Sequence, residues 1–253
     1  MTYTLITGAS AGIGAVFAEQ MAAQGHNLIL TARRKDKLDS LAETLRQKYS
    51  INVETVSSDL ASSQGSEALA NELANNGWAI NGLVNNAGFG DRGLFEELPL
   101  NRQLQMIQLN VTSLIDLTYR LLPSLHSQKN SFIINVASTA AFQAGPKMAI
   151  YYATKAFVLS FSEALFEELK PANIAVSALC PGATESEFAS EANMTNTKLF
   201  KAGAMSAEDV VRIALKNKHK AIVITGLKNV ISVYMAKLSP RSVTRKLAGW
   251  LQA

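Results

Sequence analysis

Tyr151 and Lys155 stand four residues apart at the start of a helical run, so their side chains share one helix face. An ammonium beside a phenol stabilises the phenolate and lowers its pKa from about 10, which makes tyrosine a usable proton donor and acceptor near neutrality. Alone, a Tyr-x-x-x-Lys spacing is more often a packing feature than a catalytic one. Ser138 shifts that balance. It follows the apolar run 132–136 and so lies at the carboxyl edge of a strand, where open α/β sheets gather ligands. From there its hydroxyl can donate to a carbonyl oxygen as negative charge develops on it. Tyr152 is adjacent but only three residues before Lys155, and is assigned to packing. His26, His126 and His219 are scattered with no partner at metal-ligand spacing, so no metal is expected.

Positioning such groups requires elements of fixed direction, and short apolar runs alternate with helical patterns along the chain. Runs 4–7, 27–31, 52–57, 82–85, 131–136, 175–180 and 220–225 have strand character. Segments 13–24, 35–49, 63–75, 102–122, 151–169 and 207–215 have helical character. The alternation predicts an α/β, doubly wound, Rossmann-type fold, with a parallel sheet of about seven strands and helices on both faces. No repeat and no Pro/Gly/Ser linker divides residues 1–253, so a single domain is expected, with a basic C-terminal segment from about residue 201.

The first strand leads into residues 7–14, with Gly8, Gly12 and Gly14 in the turn that opens a helix. Glycine there lets the backbone approach a pyrophosphate, while the free amides and the positive end of the helix dipole favour the anion. The spacing is G-x-x-x-G-x-G, not the commoner G-x-G-x-x-G. After the second strand, where an acid would receive the ribose hydroxyls of NAD, stand Ala32, Arg33 and Arg34. Two guanidinium groups suit a 2′-phosphate and favour NADP(H). Asp59, past the third strand, suits either an adenine amino group or the cap of the next helix.

Composition excludes several classes. Of 253 residues 48% are hydrophobic and 17% charged, with no disordered or low-complexity stretch. The lone Cys180 cannot form an intrachain disulfide, and the amino terminus enters the first strand without a leader, so a cytoplasmic location is expected. Residues 201–253 carry ten Lys or Arg against Glu208 and Asp209, for a net +8, while the first 200 residues sum to −4. A solvated basic face is the commonest meaning of such a bias. No aromatic-basic interleaving supports nucleic-acid binding.

Residues 7–14, Asn85-Asn86-Ala87-Gly88, Asn110, Ser138, Tyr151-x-x-x-Lys155 and Pro181-Gly182 occur in the order and spacing of the short-chain dehydrogenase/reductase family, which the chain resembles from its first strand to about residue 190. The resemblance implies Tyr151 as general acid/base, Ser138 as the group polarising the carbonyl, Lys155 as the ligand of the nicotinamide ribose, and Asn110 as the holder of a water in the proton relay. It further implies a cofactor cleft built from Gly8, Ser10, Gly12, Ile13, Gly14, Arg33, Arg34, Asp59, Leu60, Asn86, Ala87 and Gly88, together with Tyr151 and Lys155. Pro181, Gly182, Thr184 and Ser186 would face the nicotinamide carboxamide; Ser186 stands where the family often has threonine. Segments 28–34, 86–90 and 180–184 resemble the NADP-linked reductase branch, which includes ketoacyl and hydroxy-acid enzymes. The implied activity is hydride transfer between NADP(H) and a small-molecule carbonyl or alcohol, in a homo-oligomer, either dimer or tetramer.

Two other readings compete. A catalytically silent NADP(H)-binding regulator would have no chemical need for Asn110, Ser138, Tyr151 and Lys155 together. A reductase attached peripherally to a membrane and acting on lipid-like substrates would use the stretch 222–238, which is apolar but interrupted by Lys228 and Asn229, and too polar to span a bilayer. A subunit contact would use the same stretch and is the favoured role for it. The loop 187–205, expected to cover the site, holds no charged cluster that selects a substrate.

Overall fold

The structure, a computed structural model, describes residues 1–195, 197–201 and 203–252. Asn196 and Ala202 of the 187–205 loop, and Ala253, lie outside the described residues. Seven strands, β1 (Thr2–Thr7), β2 (Asn27–Ala32), β3 (Val53–Ser57), β4 (Ala79–Asn85), β5 (Phe132–Val136), β6 (Ala175–Cys180) and β7 (Ile222–Ile224), form one parallel sheet in the order β3-β2-β1-β4-β5-β6-β7. The helices are α1 (Gly12–Ala22), α2 (Lys35–Tyr49), α3 (Gly65–Asn75), α4 (Leu100–Ile107), α5 (Ser113–Ser127), α6 (Ala149–Leu169), α7 (Glu187–Glu191), α8 (Lys198–Lys201), α9 (Ala207–Lys216), α10 (Leu227–Leu238) and α11 (Arg241–Leu251).

Side chains alternate across a strand, so each strand feeds two cores. Ile6, Leu28, Leu30 and Phe132 pack with Phe17 of α1, Leu38 of α2 and Val210 of α9 on one face. Leu5, Ile29 and Ile133 pack with Leu69 of α3 and Leu117 of α5 on the other. These residues are buried on both faces, which matches the continuous apolar runs expected of a parallel sheet. Strand order reverses between β1 and β4, and the crevice at that switch point is where such sheets bind ligands.

Two elements depart from expectation. Residues 102–122, expected to form one helix, lie in one continuous helical run from α4 to α5, which carries an unforeseen π-helical turn over Gln108–Thr112. The cause is tertiary: Asn110 sits at the turn and bonds both the amide and the carbonyl of Phe89, at 3.1 and 3.0 Å, which periodicity cannot anticipate. The stretch 222–238 is not one amphipathic segment. It divides at Gly226 (φ 83°) into β7 and α10, and the Asn229 side chain donates to the Thr225 carbonyl at 2.7 Å in the first turn of α10.

Candidate active site

A buried polar chain fixes α6 against the sheet. Asn85 of β4 faces Asn135 of β5; its amide donates to Asn135 Oδ1 and to Thr118 Oγ1 on α5, both at 2.9 Å. Asn135 in turn donates to Ser162 Oγ on α6, at 2.9 Å. Satisfied buried networks of this kind are directional, unlike apolar packing, so they set the height of α6 relative to the strand ends. That height places Tyr151 and Lys155 beside Ser138, just past β5.

The phenol of Tyr151 is buried, and its ring centre lies 5.8 Å from Lys155 Nζ. Burial pushes its pKa above the ordinary range, and a hydrogen bond with the Ser138 hydroxyl partly opposes that. The expectation that Lys155 lowers the Tyr151 pKa is not met in this arrangement. Lys155 Nζ is turned to the Val136 carbonyl, to which it donates at 2.7 Å, and desolvation brings its own pKa down to about 8. Ser138 accepts from the Ala140 amide at 3.1 Å, which fixes its side chain at the end of β5. A phenol, a hydroxyl and an ammonium thus converge at one strand edge, a set able to exchange a proton with an oxygen held among them.

At the other end, the glycine turn is shaped by exclusion. Gly8 and Gly12 have positive φ, and a Cβ on Gly14 would lie 2.2 Å from the Gly8 carbonyl oxygen. Asn86 joins this turn to the end of β4, donating from its amide to the carbonyls of Thr7 and Gly8 at 2.9 and 3.2 Å. A Cβ on Gly12 would come 3.0 Å from Ser186, so turn and post-β6 segment face each other across a narrow gap. A dinucleotide pyrophosphate fits that cradle, with backbone amides and the α1 dipole toward it.

One cleft is lined by Gly8, Ser10, Gly12, Ile13, Arg33, Arg34, Asp59, Leu60, Asn86, Ala87, Gly88, Ser138, Tyr151, Lys155, Pro181, Gly182, Thr184 and Ser186. Gly14 and Asn110 are the two expected site residues off its wall. Gly14 is buried beneath the turn, and Asn110 lies behind Gly88 and Phe89, donating also to Thr154 Oγ1 at 3.2 Å. Asp59 lines the cleft and accepts from the Ala61 amide at 3.0 Å, but it does not cap the next helix: α3 begins at Gly65, and its N-cap, Gln64, makes no side-chain cap bond. Arg33 is exposed. Arg34 is not free: it donates to Ser10 Oγ at 3.0 Å and pairs with Glu187 at 2.9 Å.

Sequence reasoning missed several wall residues. Glu187 and Lys37, paired at 3.1 Å, complete the charged cluster at Arg34. Phe89, Phe188, Met194, Phe200, Ala248 and Leu251 give the far side of the cleft an apolar surface. Tyr152 is buried as expected, but it also lines the cleft, and its hydroxyl accepts from Gln252 Nε2 at 3.0 Å. The end of α11 is held there by Arg92, whose Nε donates to the Gln252 carbonyl at 2.7 Å. Only the apolar character of these positions was visible beforehand; their convergence depends on how 187–205 and α11 fold back. Among the described residues no group of three His, Cys, Asp or Glu could hold a metal ion, and no helix is long and apolar enough to cross a membrane.

Comparison with known proteins bears on this arrangement. A family model described as short chain dehydrogenase matches residues 2–197. A very-long-chain 3-oxoacyl-CoA reductase of Phaeosphaeria nodorum is 36% identical over 179 residues, covering 69% of this chain and 52% of the relative, so the match spans about half of that protein's length. A short-chain dehydrogenase from Sphingobium yanoikuyae, solved in complex with NADPH, superposes with a TM-score of 0.81 at 32% identity, covering 94% of this chain and 97% of the other. One from Burkholderia phymatum, in complex with NAD, gives a TM-score of 0.80 at 26% identity, with 92% of each chain covered.

Proposed function

The chain belongs to the short-chain dehydrogenase/reductase family of oxidoreductases, and from that premise we propose that it is an NADP(H)-dependent reductase of bulky apolar carbonyl compounds, 3-oxoacyl thioesters and ketones among them. The observation that carries the proposal is the single cleft in which the Ser138, Tyr151 and Lys155 cluster meets the glycine cradle on one side and the apolar wall of Phe89, Phe188, Met194, Phe200 and Leu251 on the other. When bound, the nicotinamide supplies or accepts the hydride.

The chain's own residues do the rest. Ser138 donates to the substrate oxygen, and Tyr151 gives that oxygen its proton in reduction or removes it in alcohol oxidation. Lys155 would hold the nicotinamide ribose of the bound cofactor, and its ammonium, 5.8 Å from the Tyr151 ring centre, would stabilise the phenolate. Asn110 holds the relay behind Gly88. Pro181, Gly182, Thr184 and Ser186, on the same cleft wall, would receive the carboxamide of the bound nicotinamide. Arg34 and Lys37 outnumber Glu187 in the charged cluster, Arg33 lines the same cleft, and together these cations favour a 2′-phosphate. The relative that reduces very-long-chain 3-oxoacyl-CoA supports an apolar substrate, and the NADPH complex supports the cofactor. The buried, unpaired Cys180 supports work in a reducing compartment such as the cytoplasm.

We assign self-association to the exposed apolar residues of α4 to α6, including Leu100, Leu104, Tyr119 and Phe157, which suit a homo-oligomer; a monomer in analytical ultracentrifugation would contradict this. The test of the function is NADPH consumption against apolar ketones, 3-oxoacyl thioesters, small polar ketones and aldehydes. Turnover should favour the apolar carbonyls, with NADPH bound at least about tenfold more tightly than NADH, a difference of about 1.4 kcal/mol. Equal affinity for the two cofactors, or a preference for small polar carbonyls, would contradict it.

A further inference from the structure

Helices α10 and α11 each bury one side and expose another that is apolar. On α10 the outward residues Leu227, Ile231, Tyr234, Met235 and Leu238 follow the i, i+4, i+7, i+8, i+11 spacing of one helix face, with Leu227 75% and Leu238 83% exposed. On α11 Val243, Leu247 and Trp250 follow i, i+4, i+7, with Trp250 56% exposed. The inner sides are committed. Val233 is buried, a Cβ on Gly182 would lie 2.4 Å from Asn229 Nδ2, and Ala248, Leu251 and Gln252 wall the cleft. An outward apolar face on a helix already anchored through its other side needs an occupant to leave water.

Charge identifies that occupant. Lys228 and Lys237 flank the apolar face of α10 and Lys246 that of α11, with Lys237 over the Phe142 and Tyr234 rings at 4.9 and 5.9 Å, while Arg241 and Arg245 stand on the other side of α11; residues 227–252 contain no Asp or Glu. None of these five cations is in an ion pair among the described residues. Two-fold pairing with a second copy would set these cations against themselves, because such an interface uses the same patch twice. An anionic lipid surface complements the cations, and its acyl boundary accepts leucine, isoleucine and tryptophan.

We infer that the outer face of α10 and α11 docks on anionic lipid membranes. Docking is peripheral, since neither helix can span a bilayer. It sets the apolar wall of the cleft, whose last part is the inner side of α11, next to the lipid. The face stands on its own geometry, so the inference does not depend on which carbonyl compound is reduced.

The test is flotation of the full chain with vesicles of phosphatidylcholine alone or of phosphatidylcholine with phosphatidylserine, at low and high salt. The wild type should float with the anionic vesicles at low salt and at least about tenfold less with the zwitterionic ones or at high salt. Ile231→Glu/Leu238→Glu should lose binding by about tenfold or more, with an unchanged unfolding midpoint showing an intact fold. In a Trp78→Phe background, Trp250 emission should shift to the blue on anionic vesicles. Equal recovery with both vesicle types, no recovery with either, or undiminished binding by the double variant would overturn the inference. So would a double variant that dissociates into smaller oligomers while the wild type ignores vesicles, since that assigns the face to a second copy.

Discussion

The Tyr151 phenol is enclosed, so its charged form is disfavoured until a positive partner reaches it, and the nearest ammonium, Lys155, is held by the Val136 carbonyl. Sequence spacing made both residues visible because a helix repeat fixes which side chains share a face. It did not reveal where the ammonium points, since that depends on a carbonyl at the end of another element. Burial of Lys155 has a measurable consequence without any substrate. Its folded pKa of about 8 lies below the ordinary lysine value of about 10.4, so between those limits the unfolded chain binds more protons than the folded one. The Lys155 contribution to stability therefore rises with pH through that window and is flat below it. Urea unfolding of the cofactor-free protein should show the wild type gaining on Lys155→Met from about pH 8 upward, by at most about 1.4 kcal/mol per pH unit. A difference between the two proteins that does not change with pH would contradict the burial argument. Lys155→Met should also lose turnover, which separates the chemical role of the ammonium from its cost to the fold.

At the scale of elements, the alternation of strands and helices was legible because apolar periodicity carries it, as in Ile6, Leu28 and Leu30 on one face against Leu5 and Ile29 on the other. The π-turn at Asn110 was not legible, because it follows from bonds to Phe89, twenty-one residues away in sequence. Nor was the docking of α7 against the start of α2. Glu187 of α7 accepts hydrogen bonds from Arg34 and Lys37, which hold its carboxyl below the usual carboxylate range. A 2′-phosphate on the proposed cofactor would seek the same two cations and meet the same carboxylate. Glu187→Gln should therefore tighten NADPH by about threefold to tenfold and alter NADH by less than about twofold. That is the scale of partly exposed ion pairs at about 0.2–1 kcal/mol each, with the loss of one repelling charge added. Fluorescence titration of both cofactors checks it. Weaker NADPH binding, or equal shifts for both cofactors, would mean that Glu187 holds the arginine in its working position instead of competing for it.

For the molecule as a whole, the cleft draws on both halves of the chain: the cradle from β1 and β4, the proton-handling groups from β5 and α6, and the apolar wall from residues 187–205 and α11. The first two were legible because their residues lie at strand ends and in turns whose geometry demands particular types, as Gly14 does beneath Gly8. The wall was not, since Leu251 and Phe200 differ in no local feature from core residues and acquire their role only through the return of the chain over the site. We read residues 1–253 as one domain on the same ground. In the proposed function Tyr151 transfers the proton while the rest of the cleft binds. Steady-state NADPH oxidation with the best apolar ketone or 3-oxoacyl thioester, paired with an NADPH titration, should show Tyr151→Phe losing at least about a hundredfold in kcat while its NADPH affinity stays within about twofold of wild type. A Tyr151→Phe enzyme that keeps its turnover with a confirmed substrate would contradict the account, because the proton would then come from another group.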